Sequence, residues 1–257
     1  MMHVFIGYDG REDLAYRVCR FSIVNRASAP VAIHQVTHKA IRHMGLFDRP
    51  WRIDGPTGQM IDERDGKPFS TEFAHTRFLV PHLARRLGLD TGWALFCDCD
   101  FLFLADPAEL FALTERNYAV MCVKHRHASP EGTKMDRVAQ SRYARKNWSS
   151  LVLWNLEKNG NLALDDVNHR TGGWLHAFSW LADGEIGALP EAWNWLAGVS
   201  PTTSDAVGET FAPKAVHFTE GGPWFPQYRG VPYAMEWLQE LAAMHHPRPS
   251  LARDAGG

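Results

Sequence analysis

The sequence predicts an α/β fold with a mixed, mostly parallel central sheet flanked by helices. Two observations carry that prediction: a strand–helix–strand opening, and a buried strand near residue 95 that runs into an acidic turn. His3–Tyr8 is a short apolar run ending at Asp9-Gly10, which reads as a buried strand and a turn. Glu12–Arg26 follows with Leu14, Val18, Phe21 and Asn25 at helical spacing, and Val31–Val36 reads as the second strand. Gly45–Ser70 is rich in Gly, Pro and Asp and has no period, so it reads as a long loop, functional or mobile. Thr71–Gly88 reads as a helix that Pro81 should kink or break. Trp93–Cys97 is a buried strand that enters Asp98-Cys99-Asp100. Asp106 then caps a short helix whose first turn holds Pro107. Tyr118–Val123, Leu151–Trp154 and Ala215–Phe218 are further strands, and Tyr233–Met244 is a C-terminal helix. One domain is expected over residues 1–246, with 247–257 a disordered tail.

Composition narrows the function. The chain has 257 residues, 45% of them hydrophobic and 22% charged, which suits a globular protein with a full core. Lys and Arg number 27 against 29 Asp and Glu, a net charge of −2, with no basic run. Phosphate-backbone binding needs a basic face, so no nucleic-acid partner is expected. No apolar run is long enough for a transmembrane segment, although peripheral membrane contact stays open. The N-terminus lacks the charged and apolar regions of a secretion signal. Cys19, Cys97, Cys99 and Cys122 make a poor disulfide framework and read as reduced thiols, so a cytoplasmic location is expected.

The strongest chemical signal is the strand that runs into Asp98-Cys99-Asp100. Alternate residues of an extended chain point the same way, so both carboxylates face one side at the carboxyl end of a strand. That end is where open α/β sheets bind ligands. Two carboxylates ~6 Å apart repel by about 2–4 kcal/mol at an effective dielectric near 20. A proton, a basic side chain or a hard cation such as Mg²⁺ or Mn²⁺ has to offset this. The plainer reading is one Asp capping the turn and the other solvated.

Several segments, in order, resemble glycosyltransferase family 8, the group of glycogenin and the bacterial lipopolysaccharide galactosyl- and glucosyltransferases. They are Gly7-Tyr8-Asp9, the Arg77 segment Phe73–His82, Asp98-Cys99-Asp100, Ala105–Phe111, Trp148–Leu156, Leu189–Trp195 and Ala215–Trp224. The resemblance implies a GT-A fold and a retaining hexosyltransferase using a nucleotide-sugar donor, most often a UDP-sugar. The expected acceptor is a saccharide or glycolipid, and the family analogy extends to polysaccharide biosynthesis. The implied metal ligands are Asp98, Asp100 and His217, holding Mn²⁺ or Mg²⁺, with Asp98, Asp100 and Arg77 as the catalytic set. Gly7, Tyr8, Asp9, Arg11, Arg77 and Cys99 would line the donor. Trp224 and Trp148 would face the acceptor.

The chain departs from the family pattern at two places. Gly222 stands where the family carries a phosphate-binding Lys, so the backbone N–H groups of Gly221 and Gly222 are expected to form an anion nest instead. The family's Asp-Gln-Asp segment is absent, and Trp174-Leu-His176 lies in that stretch. Three alternatives follow. One is a nucleotide-sugar or carbohydrate-binding protein that has lost turnover. Another is a haloacid-dehalogenase-type phosphatase with Asp98 as nucleophile, Asp100 as acid and Asp165-Asp166 as a further metal pair. Cys97, Cys99, Cys122 and His125 could also form a zinc site, although they lack the usual spacing.

Overall fold

The protein is described by a computed structural model that covers residues 1–125, 133–134, 138–139, 145, 147–158, 161–201 and 212–246. The expected tail, 247–257, lies outside the described residues. Strand β1 (Met2–Tyr8) buries Val4, Phe5 and Ile6. Helix α1 (Asp13–Arg26) returns the chain to β2 (Val31–Thr37), which pairs parallel with β1. The helix lays Ala15, Val18, Cys19 and Ile23 against the sheet at the i, i+3, i+4 spacing of an apolar stripe.

Helix α2 (His38–His43) leads into the segment expected to be irregular. It holds an antiparallel hairpin, β3 (Trp51–Ile53) and β4 (Met60–Asp62). Tertiary contact at its base, not β-propensity, fixes this hairpin. The fully buried Arg49 donates to Asp62 Oδ2 through Nε and Nη2 at 2.7 and 2.5 Å, and to the Arg170 carbonyl at 2.6 Å. The single helix expected over Thr71–Gly88 is instead a 3₁₀ turn, Thr76–Leu79, followed by α3 (Val80–Arg86). Pro81 marks the break, not a kink: it stands in the first turn of α3, where its missing N–H costs nothing.

Strand β5 (Trp93–Cys97) pairs parallel with β1 and continues through Asp98–Asp100 into β6 (Phe101–Phe103). Asp106 caps α4 (Pro107–Phe111), its side chain accepting the Ala108 N–H at 2.8 Å. Then come β7 (Val120–Cys122), the two-residue strands β8 (Thr133–Lys134) and β9 (Val138–Ala139), and the fully buried β10 (Leu151–Asn155). Helices α5 (Leu164–His169) and α6 (Gly172–His176) precede β11 (Ile186–Ala188), β12 (Trp195–Leu196), β13 (Ala215–His217) and α7 (Ala234–His245).

The central sheet runs β11-β7-β10-β5-β1-β2. Every pairing is parallel except those of β10, which is antiparallel to both neighbours. Strand β5 is interior, which is why its sequence is a continuous apolar run without alternation. A second sheet, β12-β13-β6, packs over a smaller core of Val18, Leu102, Trp195, Val216, Phe218 and Trp237. Arg26 of α1 and Glu240 of α7 close that side with an ion pair at 2.7 Å. The arrangement brings the ends of β5 and β13 together, and with them the acidic turn and His217. No helix among the described residues is long and apolar enough to cross a membrane.

Candidate active site

The turn between β5 and β6 carries Asp98 and Asp100, 8% and 7% exposed. The register of β13 against β6 sets His217 opposite Phe101, and the two rings stack 4.5 Å apart. Ligand atoms of Asp98, Asp100 and His217 lie within 4.8 Å of one another, so the three expected ligands converge. His217 Nε2 sits 3.4 Å from Asp100 Oδ2.

Asn194 sets the state of that imidazole. Its amide donates to the Ser150 hydroxyl at 2.9 Å and the Asn147 carbonyl at 3.2 Å, which fixes its orientation. Its oxygen therefore faces His217 Nδ1 at 3.0 Å and accepts the Nδ1 proton. Nε2 is thereby turned to the Asp100 carboxylate, the side on which the three groups could hold a cation together. Asn147 itself adopts φ 65°, the left-handed region that asparagine tolerates better than most residues.

Arg77 offsets part of the acidic charge. It is 5% exposed, and its Nη1 lies 2.9 Å from Asp98 Oδ1 and donates to the Ser149 carbonyl at 3.1 Å. Its guanidinium lies over Phe73 and Phe96 at 5.2 and 5.4 Å, while Nε is buried without an acceptor. Every described residue lining the cleft is polar; Ser70, Thr71, Asn147, Ser149 and His176 join the cluster there. His176 comes from α6, the stretch where the resemblance leads one to expect an acidic segment. Its Nδ1 meets the Ser149 hydroxyl at 2.7 Å. Burial, reinforced by Arg77 and His75, pushes its pKa well down, so the ring is neutral.

Glu12 stands behind the acidic turn and was not singled out by sequence. It is 1% exposed, and burial, with Asp100 and Asp9 adding, pushes its carboxyl well above the usual range. Its carboxyl group accepts the Cys99 thiol at 3.7 Å. Cys99 is fully buried on that side, so its side chain belongs to the core and not to the expected donor lining.

Other expected residues also take structural parts. A Cβ on Gly7 would lie 2.5 Å from the Phe73 ring, so Gly7 admits Phe73. Tyr8 donates to Asp13 at 3.1 Å. Asp9 is fully buried; its carboxylate takes Arg11 N, Nε and Nη2 and the Glu72 N–H. The Gly221 N–H is spent on the Phe218 carbonyl at 2.8 Å, and Trp224 fills the space over Gly222, so the expected nest is not built from both amides. Trp224 packs against Phe218 and Trp237 in the second core. Lys124 and Arg145 cover the Trp148 ring at 5.7 and 5.2 Å. Asp165 and Asp166 pair with His169 and Arg170 on α5 and do not join the Asp98 cluster, which removes the metal pair of the phosphatase alternative. The four cysteines are buried free thiols, and they form no metal cluster among the described residues.

A second acidic group, Asp62, Asp65 and His75, has metal-ligand geometry as well. Its charge is already compensated by Arg49, whose Nη2 reaches Asp62 at 2.5 Å and Asp65 at 3.8 Å.

No family model matches the chain. Protein CDI of Arabidopsis thaliana is 46% identical over 240 residues, which is 93% of this chain and 85% of CDI. The chain belongs to the Protein CDI family. Solved glycosyltransferases share the fold of this CDI-family chain. An active-site mutant of LgtC superposes with a TM-score of 0.61 at 11% identity, covering 94% of this chain and 96% of LgtC. The apo form of the glycosyltransferase GlyE of Streptococcus pneumoniae TIGR4 gives 0.56 at 12% identity, over 95% and 62%. WbbM, a bifunctional glycosyltransferase, gives 0.54 at 14% identity over 94% of this chain, which spans about half (49%) of WbbM. The CDI-family chain thus has a GT-A fold.

Proposed function

We propose that this protein is a metal-dependent, retaining glycosyltransferase that moves a hexose from a nucleotide sugar to a saccharide or glycolipid. The observation that supports it most is the convergence of buried Asp98, Asp100 and His217 in a polar cleft at the strand ends of a GT-A fold. Two carboxylates and an imidazole lone pair, partly balanced by Arg77, fit one divalent cation. When bound, that ion supplies electrostatic stabilisation of the departing diphosphate. Mn²⁺ is the ion the family resemblance supplies, and Mg²⁺ suits the same oxygen donors.

The chain's own residues do the rest. Asn194 holds His217 through Nδ1 and leaves Nε2 turned towards Asp100. Arg77 fixes Asp98 and holds a buried Nε–H for a phosphate or sugar oxygen of the donor. Asp98, Asp100, Arg77 and His217 are all buried, which strengthens each of these interactions. Retention, a UDP-hexose donor, a polysaccharide-pathway acceptor and a cytoplasmic setting come from the resemblance and the thiol usage.

The test is calorimetric binding of nucleoside diphosphates with Mn²⁺ and again with a chelator, followed by donor-sugar release. Binding that requires the metal, lost in Asp100→Asn while the fold stays cooperative, supports the reading. Full metal-dependent turnover by Asp100→Asn would sink it. A binding protein without turnover, which the missing Lys and acidic segment favour, would bind nucleotide with metal and release no sugar.

A further inference from the structure

Beside the acidic cluster lies a second space of about 200 Å³, joined to the first through Thr71, which lines both. Ile53, Met60 and Phe69 line it, so part of its wall is apolar and suits a flat ring. Four polar side chains line it as well: Arg11, Gln59, Thr71 and Glu72. Gln59 Nε2 and the Thr71 hydroxyl, at a residue 9% exposed, are buried with no hydrogen-bond partner. Buried polar atoms of that kind are costly unless a ligand completes them.

Arg11 and Glu72 are held to one corner. Arg11 is clamped by the buried Asp9 through Nε at 3.0 Å and Nη2 at 2.5 Å, and Nη2 also reaches the Ser70 carbonyl at 3.2 Å. Glu72 is tied to the same corner by its own N–H on Asp9 at 3.1 Å, and its carboxylate accepts the Gly10 N–H. The Arg11 and Glu72 side chains thus both line one slot and interact electrostatically without an ion-pair contact. The slot thereby offers both a donor and an acceptor.

We propose that this slot takes the base of the donor nucleotide and that the base is guanine, so that the donor is a guanosine-diphosphate sugar. The inference rests on the glycosyltransferase reading above and replaces the uridine that the family resemblance supplies. Guanine presents the acceptor O6 beside two donors, N1–H and N2–H, the complement of Arg11 beside Glu72. Uracil places a second carbonyl oxygen where guanine has its amino group, and a carboxylate repels it. Adenine offers one amino donor beside a bare ring nitrogen, which again leaves a carboxylate oxygen unmatched.

The experiment is calorimetric titration of the full chain with GDP, IDP, UDP and ADP in Mn²⁺, repeated with the near-isosteric Glu72→Gln. IDP is guanosine diphosphate without the amino group, so the GDP-to-IDP ratio reads the contact to Glu72. The expected result is GDP at least tenfold tighter than UDP, ADP and IDP, with the GDP-to-IDP ratio falling to within threefold in Glu72→Gln. UDP or ADP binding tightest, or a GDP-to-IDP ratio unmoved by Glu72→Gln, overturns the inference and leaves the glycosyltransferase reading standing. No binding of any of the four with metal overturns both.

Discussion

Asn194→Leu separates the orientation of His217 from its mere presence. Asn194 is fully buried, and leucine, with the same branched skeleton but bulkier methyl groups, fills its place without opening a cavity. Three hydrogen bonds disappear, but their loss is unequal. The Asn147 carbonyl keeps the Ser150 hydroxyl at 2.7 Å, and Ser150 keeps that same bond. Only His217 Nδ1–H is left with nothing. One orphaned buried donor costs about 1–3 kcal/mol and two replaceable bonds about 0.5–1.5 each, so a loss of about 3 kcal/mol of stability is expected. The metal effect is separate: a ring free to turn or change tautomer should lose about 10–100-fold in affinity. Asn194→Asp keeps an acceptor for Nδ1–H while setting an oxygen against the Asn147 carbonyl, so it should lose stability and retain metal. Urea melts and Mn²⁺ titration by calorimetry read the two quantities. Asn194→Leu that folds cooperatively and binds Mn²⁺ within twofold of the natural chain would refute the orienting role.

Arg49→Met should cost about 3–5 kcal/mol in urea melts, because it strands the buried Asp62 carboxylate; adding Asp62→Asn should recover part of that, and an additive double mutant would show the pair is not coupled. Burial lowers the His75 pKa to about 3, with Arg49 adding. Below pH 6.5 the unfolded chain takes up a proton that the folded chain refuses, so stability should fall as pH falls from about 6.5 towards 3. At about 1.4 kcal/mol per unit, His75 alone can remove about 4–5 kcal/mol across that window; His75→Gln should flatten the slope, and an unchanged slope contradicts the assignment. Gly7→Ala should cost about 1–3 kcal/mol by driving a methyl into Phe73, and Phe73→Leu in that background should return some of it; a neutral Gly7→Ala would show the ring has room to move.

The frame was legible where burial leaves a local trace. Trp93–Cys97 is an interior strand and reads as one, and Asp106 with Pro107 announces a helix start through local hydrogen bonding. The acidic pair was legible for a different reason: Asp98 and Asp100 follow directly on the interior strand, in the short turn that ends it, so local sequence alone places them together. What escaped has long-range causes. The hairpin at Trp51–Asp62 depends on Arg49 meeting carbonyls some 120 residues away, and nothing near Arg49 in sequence distinguishes it from a solvated arginine. Asn194 lay inside the Leu189–Trp195 segment, but its role exists only because β13 brings His217 beside it.

Glu12 shows the limit most clearly. At the start of an amphipathic helix, a glutamate reads as a favourable charge on the helix dipole and so as a surface residue. Folding seats it against the thiol of Cys99, 87 residues on, in a space where Asp9 and Asp100 already supply negative charge. The cheapest outcome there is a proton on Glu12, since a further charge would face both desolvation and two like neighbours. An acidic motif counted from sequence therefore overstates the charge of this site. The carboxylates of Asp98 and Asp100 face the cleft and Arg77, while burial and its acidic neighbours push the third acid behind them towards its protonated form.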